Sequence, residues 1–515
     1  MPARTQTIRL AGAAVAATLM LTACSGGGED QPEAGAPLET IEIMAPVIAS
    51  SAPDPEGTLQ TEIEEFSGKD LEITWVPNAN YADRMNVVMA SDDIPHAMVV
   101  QGKTGSFVQS AEAGAFWDLT DHLEDFPNLQ PSSEDIRLAA SVNGRSYGMY
   151  RPRDPMRTAV IVRKDWLTNL GLEEPENTDD LREIARAFTE DDPDGNGQDD
   201  TTGIIIPSWP GGYGSSSPYD VVETWFGAPN KWGVDDGNLY PAFESEAFME
   251  ANAYMRDMVE NGYINADFAT MDPGNWNDPF FNGQGGIIID VSSRAVEQLM
   301  TLFREAHPDD YDQYLAMTGN LAGPDGELNA YPTAGFSGMV AIPKASVPTE
   351  DMLNEVLGFF DKMSTPEGQI LLNNGIEDVN FEVVDGKAAA IESDDPDVAA
   401  IRNDVMSFAQ IGVASGDFYL AQPRGEFEAE LNQERLDFHA ADLEQAVYDP
   451  AAALVSPTYV QNGAVLDQII TDARIQYLAG QIDEAGLRAE IERWRASGGD
   501  DVVAEMNELY SELDN

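Results

Sequence analysis

Short, wholly apolar runs set between helical patterns constrain this chain more than any other feature. Ala97-Met98-Val99-Val100, Thr158-Ala159-Val160-Ile161-Val162 and Gly286-Ile287-Ile288-Ile289 carry no charge. A strand covered on both faces reads this way, since neither face is left for water. Leu38–Met44 and Leu71–Val76 instead alternate apolar and polar residues, the period of half-buried strands. Helical patterns over Gly57–Phe66 and Ala82–Ala90 lie between and after them. Strands alternating with helices predict α/β layers with largely parallel sheets. The stretch from about Leu466 to Leu513 reads as amphipathic helix, broken near Gly480 and Ser497-Gly498-Gly499. No repeat of fixed period is present, and the expected architecture is two α/β lobes with helical additions.

Composition narrows the function. A chain of 515 residues with 43% apolar content can build two to four domain-sized cores. Its 91 acidic residues against 28 basic ones leave a formal charge of -63. That excludes a protein that grips nucleic acid by its phosphates and disfavours docking on an anionic membrane through basic patches. Such charge favours a soluble monomer, and salt relieves its self-repulsion. A single cysteine rules out an internal disulfide and a thiolate zinc site.

That cysteine is informative by position. Arg4 and Arg9 precede Leu10–Ala23, an uncharged run too short to span a bilayer of about 30 Å but suited to a signal-peptide core. The run ends in Leu21-Thr22-Ala23-Cys24, followed by Ser25-Gly26-Gly27-Gly28. This resembles a bacterial lipobox, in which the cysteine is lipidated and becomes the first mature residue. Residues 1–23 are then a lipoprotein signal peptide and 24–37 a lipid-anchored flexible tether. The expectation is an exported protein, held at the extracellular face of the membrane through Cys24.

Asp192-Pro193-Asp194-Gly195-Asn196-Gly197-Gln198-Asp199-Asp200-Thr201 is the sharpest local motif. Oxygen side chains at positions 1, 3, 5 and 9 with Gly at 6 reproduce the front of an EF-hand loop. Asp192, Asp194, Asn196 and Asp200 would bind Ca²⁺ through side chains and Gln198 through its carbonyl. Position 12 is Gly203 where a bidentate Glu is usual, so Thr201 or a water would complete the shell. The role expected is structural, pinning a loop.

A catalyst is harder to find. His96, His122, His307 and His439 form no metal-binding spacing, and no Walker loop, dinucleotide fingerprint or nucleophile elbow is present. Paired carboxylates for sugar cleavage remain open, because so many acids could supply any geometry. The aromatics point to binding instead. Trp209, Tyr213, Trp225, Trp232 and Trp276 sit in Gly/Pro/Asn-rich loop contexts, where an aromatic face can stack on a sugar ring. Trp117, Trp166 and Trp494 lie in amphipathic patterns and read as core.

An ordered series of short stretches then resembles one family. Leu21–Cys24 is followed by Val87–Pro95, Ala115–Thr120, Val142–Gly148, Val162–Gly171 and the loop at 192–197. Phe281–Gly285, Thr365–Gln369 and Gly375-Ile376-Glu377 come later. The series resembles the family 1 extracellular solute-binding lipoproteins of ABC sugar importers, on the branch that includes alginate- and pectin-oligosaccharide binders. The resemblance implies an α/β, type II, two-lobe clamp of the periplasmic-binding-protein kind with a helical C-terminal region. One lobe would comprise 38–156 plus 338–405, the other 157–337 plus 406–515. It implies a non-enzymatic subunit that captures an oligosaccharide and passes it to membrane permeases, and it supports the calcium loop. By position, Tyr150, Arg151, Trp209, Tyr213, Trp225, Trp276, Arg294 and Glu377 become ligand contacts. Asp378 departs from the family's usual Gly, and a carboxylate there would oppose acidic sugars. A surface carbohydrate-active enzyme and a ligand sensor acting without a transporter are the alternatives.

Overall fold

The apolar runs form the strands expected of them. In this computed structural model, which describes residues 38–131 and 133–513, β1 (Thr40–Val47), β2 (Asp70–Pro77), β3 (Ala97–Val100), β4 (Met149–Pro152), β5 (Thr158–Arg163) and β6 (Thr202–Ile204) follow in order. β7 (Trp232–Asp235) and β8 (Asn238–Pro241) form a hairpin, then come β9 (Gly285–Val291), β10 (Leu315–Thr318) and β11 (Phe336–Ala341). β12 (Phe381–Val384) and β13 (Lys387–Ala390) make a second hairpin. Residues 1–37, with Cys24 and the tether, lie outside the described residues.

Two sheets organise these strands. The first has the order β2-β1-β3-β11-β4 and the second β10-β5-β9-β6. In the first, β1 runs parallel to β2 and β3, while β11 is antiparallel to both β3 and β4. β4 therefore points the same way as β1, β2 and β3. In the second, β6 is parallel to β9, and β5 is antiparallel to β9 and β10. Each sheet is covered by helices and has its own core. Ile41, Ile43, Val99, Phe107, Phe116 and Phe360 are buried around the first, and Phe408 and Ile411 join them from the chain after β13. Val160, Trp166, Phe188, Ile287 and Phe248 are buried in the second, together with Leu466, Tyr477, Trp494 and Val502 from the C-terminal helices.

Packing is tight where the acidic loop begins. Helix Thr178–Glu190 buries Leu181, Ile184, Ala185 and Phe188, a 3.6-residue stripe, and Asn177 caps its start by accepting from the Asp180 amide at 2.9 Å. A Cβ on Gly286 of β9 would lie 2.2 Å from the Phe188 ring, so only glycine lets this helix approach the sheet. The C-terminal helices Pro457–Leu478, Glu484–Trp494 and Asp500–Leu513 break at Gly480 and Gly498, both with positive φ. Among the described residues no helix is long and apolar enough to cross a membrane.

The second core also encloses charge. Arg474, 1% exposed, donates from Nη1 to Asp220 Oδ1 at 2.8 Å and to Glu223 Oε1 at 3.2 Å. Asp220 also closes a capping box with Ser217 at the start of helix Pro218–Trp225. Asn252 Nδ2 donates to Glu223 at 2.9 Å. Burial pushes the Glu223 carboxyl up to about 7 against the opposing pull of Arg474.

Candidate functional site

Both sheets are mixed rather than largely parallel as expected, because β5, β10 and β11 pair antiparallel with their neighbours; ligands of α/β folds gather outside the carboxyl ends of the parallel strands, where loops are free to vary. β1 to β4 present those ends on one edge of the first sheet. The chain leaves β4 at Pro152 and enters β5 at Thr158, which pairs with Val291 at the carboxyl end of β9. Six residues of extended chain reach at most about 20 Å, so the two carboxyl edges are held close across this crossing.

Four of the eight side chains expected at a ligand site lie at these edges. Tyr150 and Arg151 are on β4, Tyr150 half-buried opposite Met339. Arg151 is 8% exposed, donating to the Ser337 carbonyl at 2.7 Å and to Gln410 Oε1 at 2.8 Å. Its Nε is buried without a partner, and burial lowers its guanidinium to about 10, helped by the like charge of Arg153. Trp209 follows β6, half-buried, its indole N–H on Ser215 Oγ at 2.9 Å and its ring edge-on to Trp276 at 6.0 Å. Arg294, just past β9, lies 4.2 Å over the Trp276 ring and is fixed by Asp290 at 2.6 Å and Asn277 at 2.7 Å.

The remaining assignments change in character. Trp276 is 2% exposed with its N–H on the Ile205 carbonyl, so it supports Trp209 and Arg294 and has no face free for a ligand. Trp225 is fully buried, bonded to Asn320 Oδ1 at 2.9 Å, and is core; its loop-like sequence context conceals the end of a buried helix. Tyr213 packs edge-on to Phe243 at 5.3 Å beneath the Arg474 guanidinium, and burial raises its phenol well above the usual value. Glu377 is exposed in the turn before β12. Asp378 beside it has φ 63°, which explains a glycine preference here and why aspartate, tolerant of the left-handed region, can stand in.

Two features escaped the sequence reading. Arg153 and Arg157 follow Arg151 on the crossing after β4, three of the 28 basic residues within seven positions, a density that could have flagged them. A cluster of charged groups where the loop after β3 meets the segment from Asp449 on was legible only in three dimensions. There Lys103 donates to the Ser141 carbonyl at 3.0 Å and to the Ala452 carbonyl, and burial draws its ammonium down to about 8. Asp449 faces Lys103 and Lys231, its carboxyl raised by burial. Tyr459 donates to Asp467 at 2.7 Å, and burial raises its phenol above the usual value. Two cavities of ≈ 270 and ≈ 470 Å³ lie elsewhere, the larger lined by Asp200, Asp267, Asp272 and Asp278.

In the acidic loop, the carboxylates turn inward onto the backbone. Asp192 accepts from the Asn196 amide at 3.0 Å and the Gly197 amide at 2.9 Å, and Asn196 Oδ1 accepts from Gln198 at 2.7 Å. Asn196 Nδ2 sits between Asp194 at 2.8 Å and Asp200 at 3.2 Å, where a cation would be welcome and where an amide flip would turn oxygen inward. The donors are hard oxygens, as Ca²⁺ requires. Among the described residues, no three His, Cys, Asp or Glu side chains stand close enough to hold a metal ion. Thr201 leaves the expected ligand set: its hydroxyl is buried and donates to the Phe188 carbonyl at 2.7 Å.

Residues 50–370 match the bacterial extracellular solute-binding protein family. The chain is 42% identical over 499 residues to Lipoprotein LipO of Bacillus subtilis (strain 168), covering 96% of each. It is 30% identical over 503 residues to the polygalacturonan/rhamnogalacturonan-binding protein YtcQ of the same strain, again covering 96% of each. Among solved structures, a human-milk-oligosaccharide (HMO) binding, ABC-transporter-associated solute-binding protein from Bifidobacterium longum infantis superposes with TM-score 0.70 at 16% identity, over 92% of this chain and 99% of that one. The alginate-binding protein AlgQ2 without calcium ion gives 0.65 at 17% identity, over 92% and 98%. An EF-hand mutant of the Streptococcus pneumoniae substrate-binding protein FusA gives 0.63 at 16%, over 92% and 99%. The fold is the type II, two-lobe α/β clamp.

Proposed function

This chain belongs to the bacterial extracellular solute-binding protein family, and we propose that it is the capture subunit of an ABC importer for an oligosaccharide. The observation that carries this reading is the meeting of two strand-end edges across the 152–158 crossing, with aromatic and arginine side chains on both. Closing the lobes would press the ligand between Tyr150 and Arg151 on one side and Trp209 and Arg294 on the other, with Tyr213 and Glu377 in supporting positions. We assign residues 38–156 plus 338 onward to the first lobe and 157–337 plus the C-terminal segment to the second. We place the return point near Val413, a choice supported by Phe408 and Ile411 packing in the first core. Ligand transfer to permeases, a monomeric state, and anchoring through Cys24 at the outer face of the membrane complete the proposal. The relative named a lipoprotein supports the anchor. We read the protein as non-enzymatic, because its relatives are named for binding.

Calcium belongs to the same proposal. Asp192, Asp194, Asn196 and Asp200 would hold it through side chains and Gln198 through its carbonyl, pinning the link between helix Thr178–Glu190 and β6. Relatives of this fold studied without calcium or with an altered EF-hand support the assignment. Capture is tested by thermal shift of the full-length chain against an oligosaccharide panel. A sugar at a hundred times its dissociation constant adds about 2.7 kcal/mol and is recovered intact. Cleaved product, or no shift with any sugar, would overturn the reading.

A further inference from the structure

Trp209 opens the loop 209–217, which ends where helix Pro218–Trp225 begins. Three glycines and three serines make up most of this loop, a makeup that leaves a free chain many conformations. In the folded protein the loop is closed on itself. The Trp209 indole N–H donates to Ser215 Oγ at 2.9 Å, and that hydroxyl donates to the Gly212 carbonyl at 2.6 Å. A Cβ on Gly211 would lie 2.2 Å from Ser215 Oγ and 3.1 Å from the indole nitrogen, so the closure needs glycine there. The far end of the loop is tied to the buried ion group. Asp220 Oδ2 accepts from the Ser217 amide at 2.9 Å. Its Oδ1 accepts from the Gly214 amide at 3.4 Å and from Arg474 Nη1 at 2.8 Å. Between these anchors, Tyr213 lies 5.4 Å under the Arg474 guanidinium and packs on Phe243 and Phe248 at 5.3 and 6.2 Å. A chain of contacts therefore runs from Arg474 through Asp220 and the loop backbone to the Trp209 ring.

A buried ion group adds little net stability, and apolar side chains of the same volume would fill the core as well. What apolar side chains could not do is hold two backbone amides of a glycine-rich loop in place. A carboxylate shared between those amides and a guanidinium does this, and the guanidinium beside it keeps its charge tolerable in the core. On the entry side the Ser208 amide donates to the Met271 carbonyl at 2.9 Å, which fixes where Trp209 starts but not how its ring turns. The ring is turned by Ser215, and Ser215 stands between the two amides that Asp220 holds. We propose that Arg474 and Asp220 are positioning residues for the ligand site: they preset the loop 209–217 and, through Ser215, fix the Trp209 ring before a sugar arrives. Presetting removes an ordering cost that the sugar would otherwise meet on binding. The effect on affinity rests on the capture reading above, whereas the setting of the ring belongs to the ligand-free protein.

The test reads the ring directly, through the indole N–H resonances of the full-length chain, the Trp209 signal being the one lost in Trp209→Phe. Affinity is read beside it by calorimetric titration with oligogalacturonate, fructo-oligosaccharide and milk-type oligosaccharide, using whichever the parent chain binds. In Gly211→Ala, where the added Cβ displaces Ser215, the Trp209 resonance should move and exchange with solvent several-fold faster. The same change is expected in the triple variant Arg474→Met, Asp220→Asn, Glu223→Gln, which removes the charges together and leaves none unpaired. Asp220→Asn alone, with Arg474 still beside Glu223, serves should the triple variant unfold. Each should bind the sugar about tenfold more weakly than the parent. Ile184→Val, a core change in helix Thr178–Glu190, lowers stability away from the loop and should leave both readings unchanged. A Trp209 resonance unmoved in the triple variant, or in Asp220→Asn where that replaces it, overturns the positioning role. A resonance that moves with no loss of affinity overturns its bearing on the site, as does an equal loss of affinity in Ile184→Val. If the parent binds none of the sugars, the capture reading falls, and the resonances alone still decide whether the ion group sets the ring.

Discussion

The two lobes solve the same packing problem with different chemistry. Around the first sheet the buried polar groups are mostly amides and hydroxyls with local partners, such as Gln60 Nε2 donating to the Leu71 carbonyl at 3.0 Å and the Tyr81 hydroxyl donating to the Met44 carbonyl at 2.9 Å. Among its described residues no ion pair is fully buried; Lys69–Glu355, Arg137–Glu134 and Arg145–Asp118 all reach solvent. The second lobe encloses Arg474 between Asp220 and Glu223, each no more than 4% exposed, and ends one of its helices in the acidic loop. A buried ion group contributes little net stability when intact, because desolvation offsets attraction, but it is severe to break. The second lobe should therefore respond to calcium, and it should lose more stability than the first when a single partner of its buried ion group is deleted.

The largest effect should come from breaking the triad on one side. Arg474→Met leaves two buried carboxylates unpaired and is expected to cost about 3–5 kcal/mol by denaturant melting, with hydrogen-exchange protection lost in the second lobe first. Adding Asp220→Asn and Glu223→Gln should recover much of that loss; no recovery would mean that packing, not charge, sets the cost. Next in size is calcium. At a hundred times its dissociation constant the ion should add about 2.7 kcal/mol, and Asp194→Asn should reduce the gain. A chelator that changes neither the melting temperature nor proteolysis within 190–202 would refute the calcium loop.

Smaller effects sharpen the contrast. The Glu223 carboxyl is raised from 4.5 to about 7, so the folded state holds a proton that the unfolded state has released. Its contribution is present in full below about 4.5 and lost as pH rises to about 7, at up to about 1.4 kcal/mol per pH unit. Melting curves of Glu223→Gln against the parent across this window should converge toward low pH and separate in slope above it; parallel curves would contradict the assignment. In the first lobe, Tyr81→Phe should cost only about 1 kcal/mol, pH-independently between 5 and 8, by loss of one buried hydrogen bond.

Much of the fold was legible beforehand, because hydrophobic period reports local geometry. The runs at 97–100, 158–162 and 286–289 lie within β3, β5 and β9, and the expected helices 57–66 and 82–90 are Thr58–Ser67 and Tyr81–Met89. The C-terminal helix begins earlier than expected, at Pro457, because Ser456 accepts from the Tyr459 amide as a cap. The site was only partly legible. Trp225 and Trp276 have the loop neighbours of a binding tryptophan, but composition does not say which face of a ring is already packed.

What the sequence alone determined is what depends on neighbours along the chain. The strand and helix segments, the lipobox-like run ending in Cys24 and the oxygen spacing of the 192–200 loop all belong here, since each is set within a few residues. What the tertiary structure decided is what depends on distance in space. Asp220 and Arg474 are separated by 254 residues and meet at 2.8 Å, Thr201 turns its hydroxyl to Phe188, and Arg294 comes to lie over the Trp276 ring. Burial and pairing set the cost of a charge, and neither exists until the chain has folded.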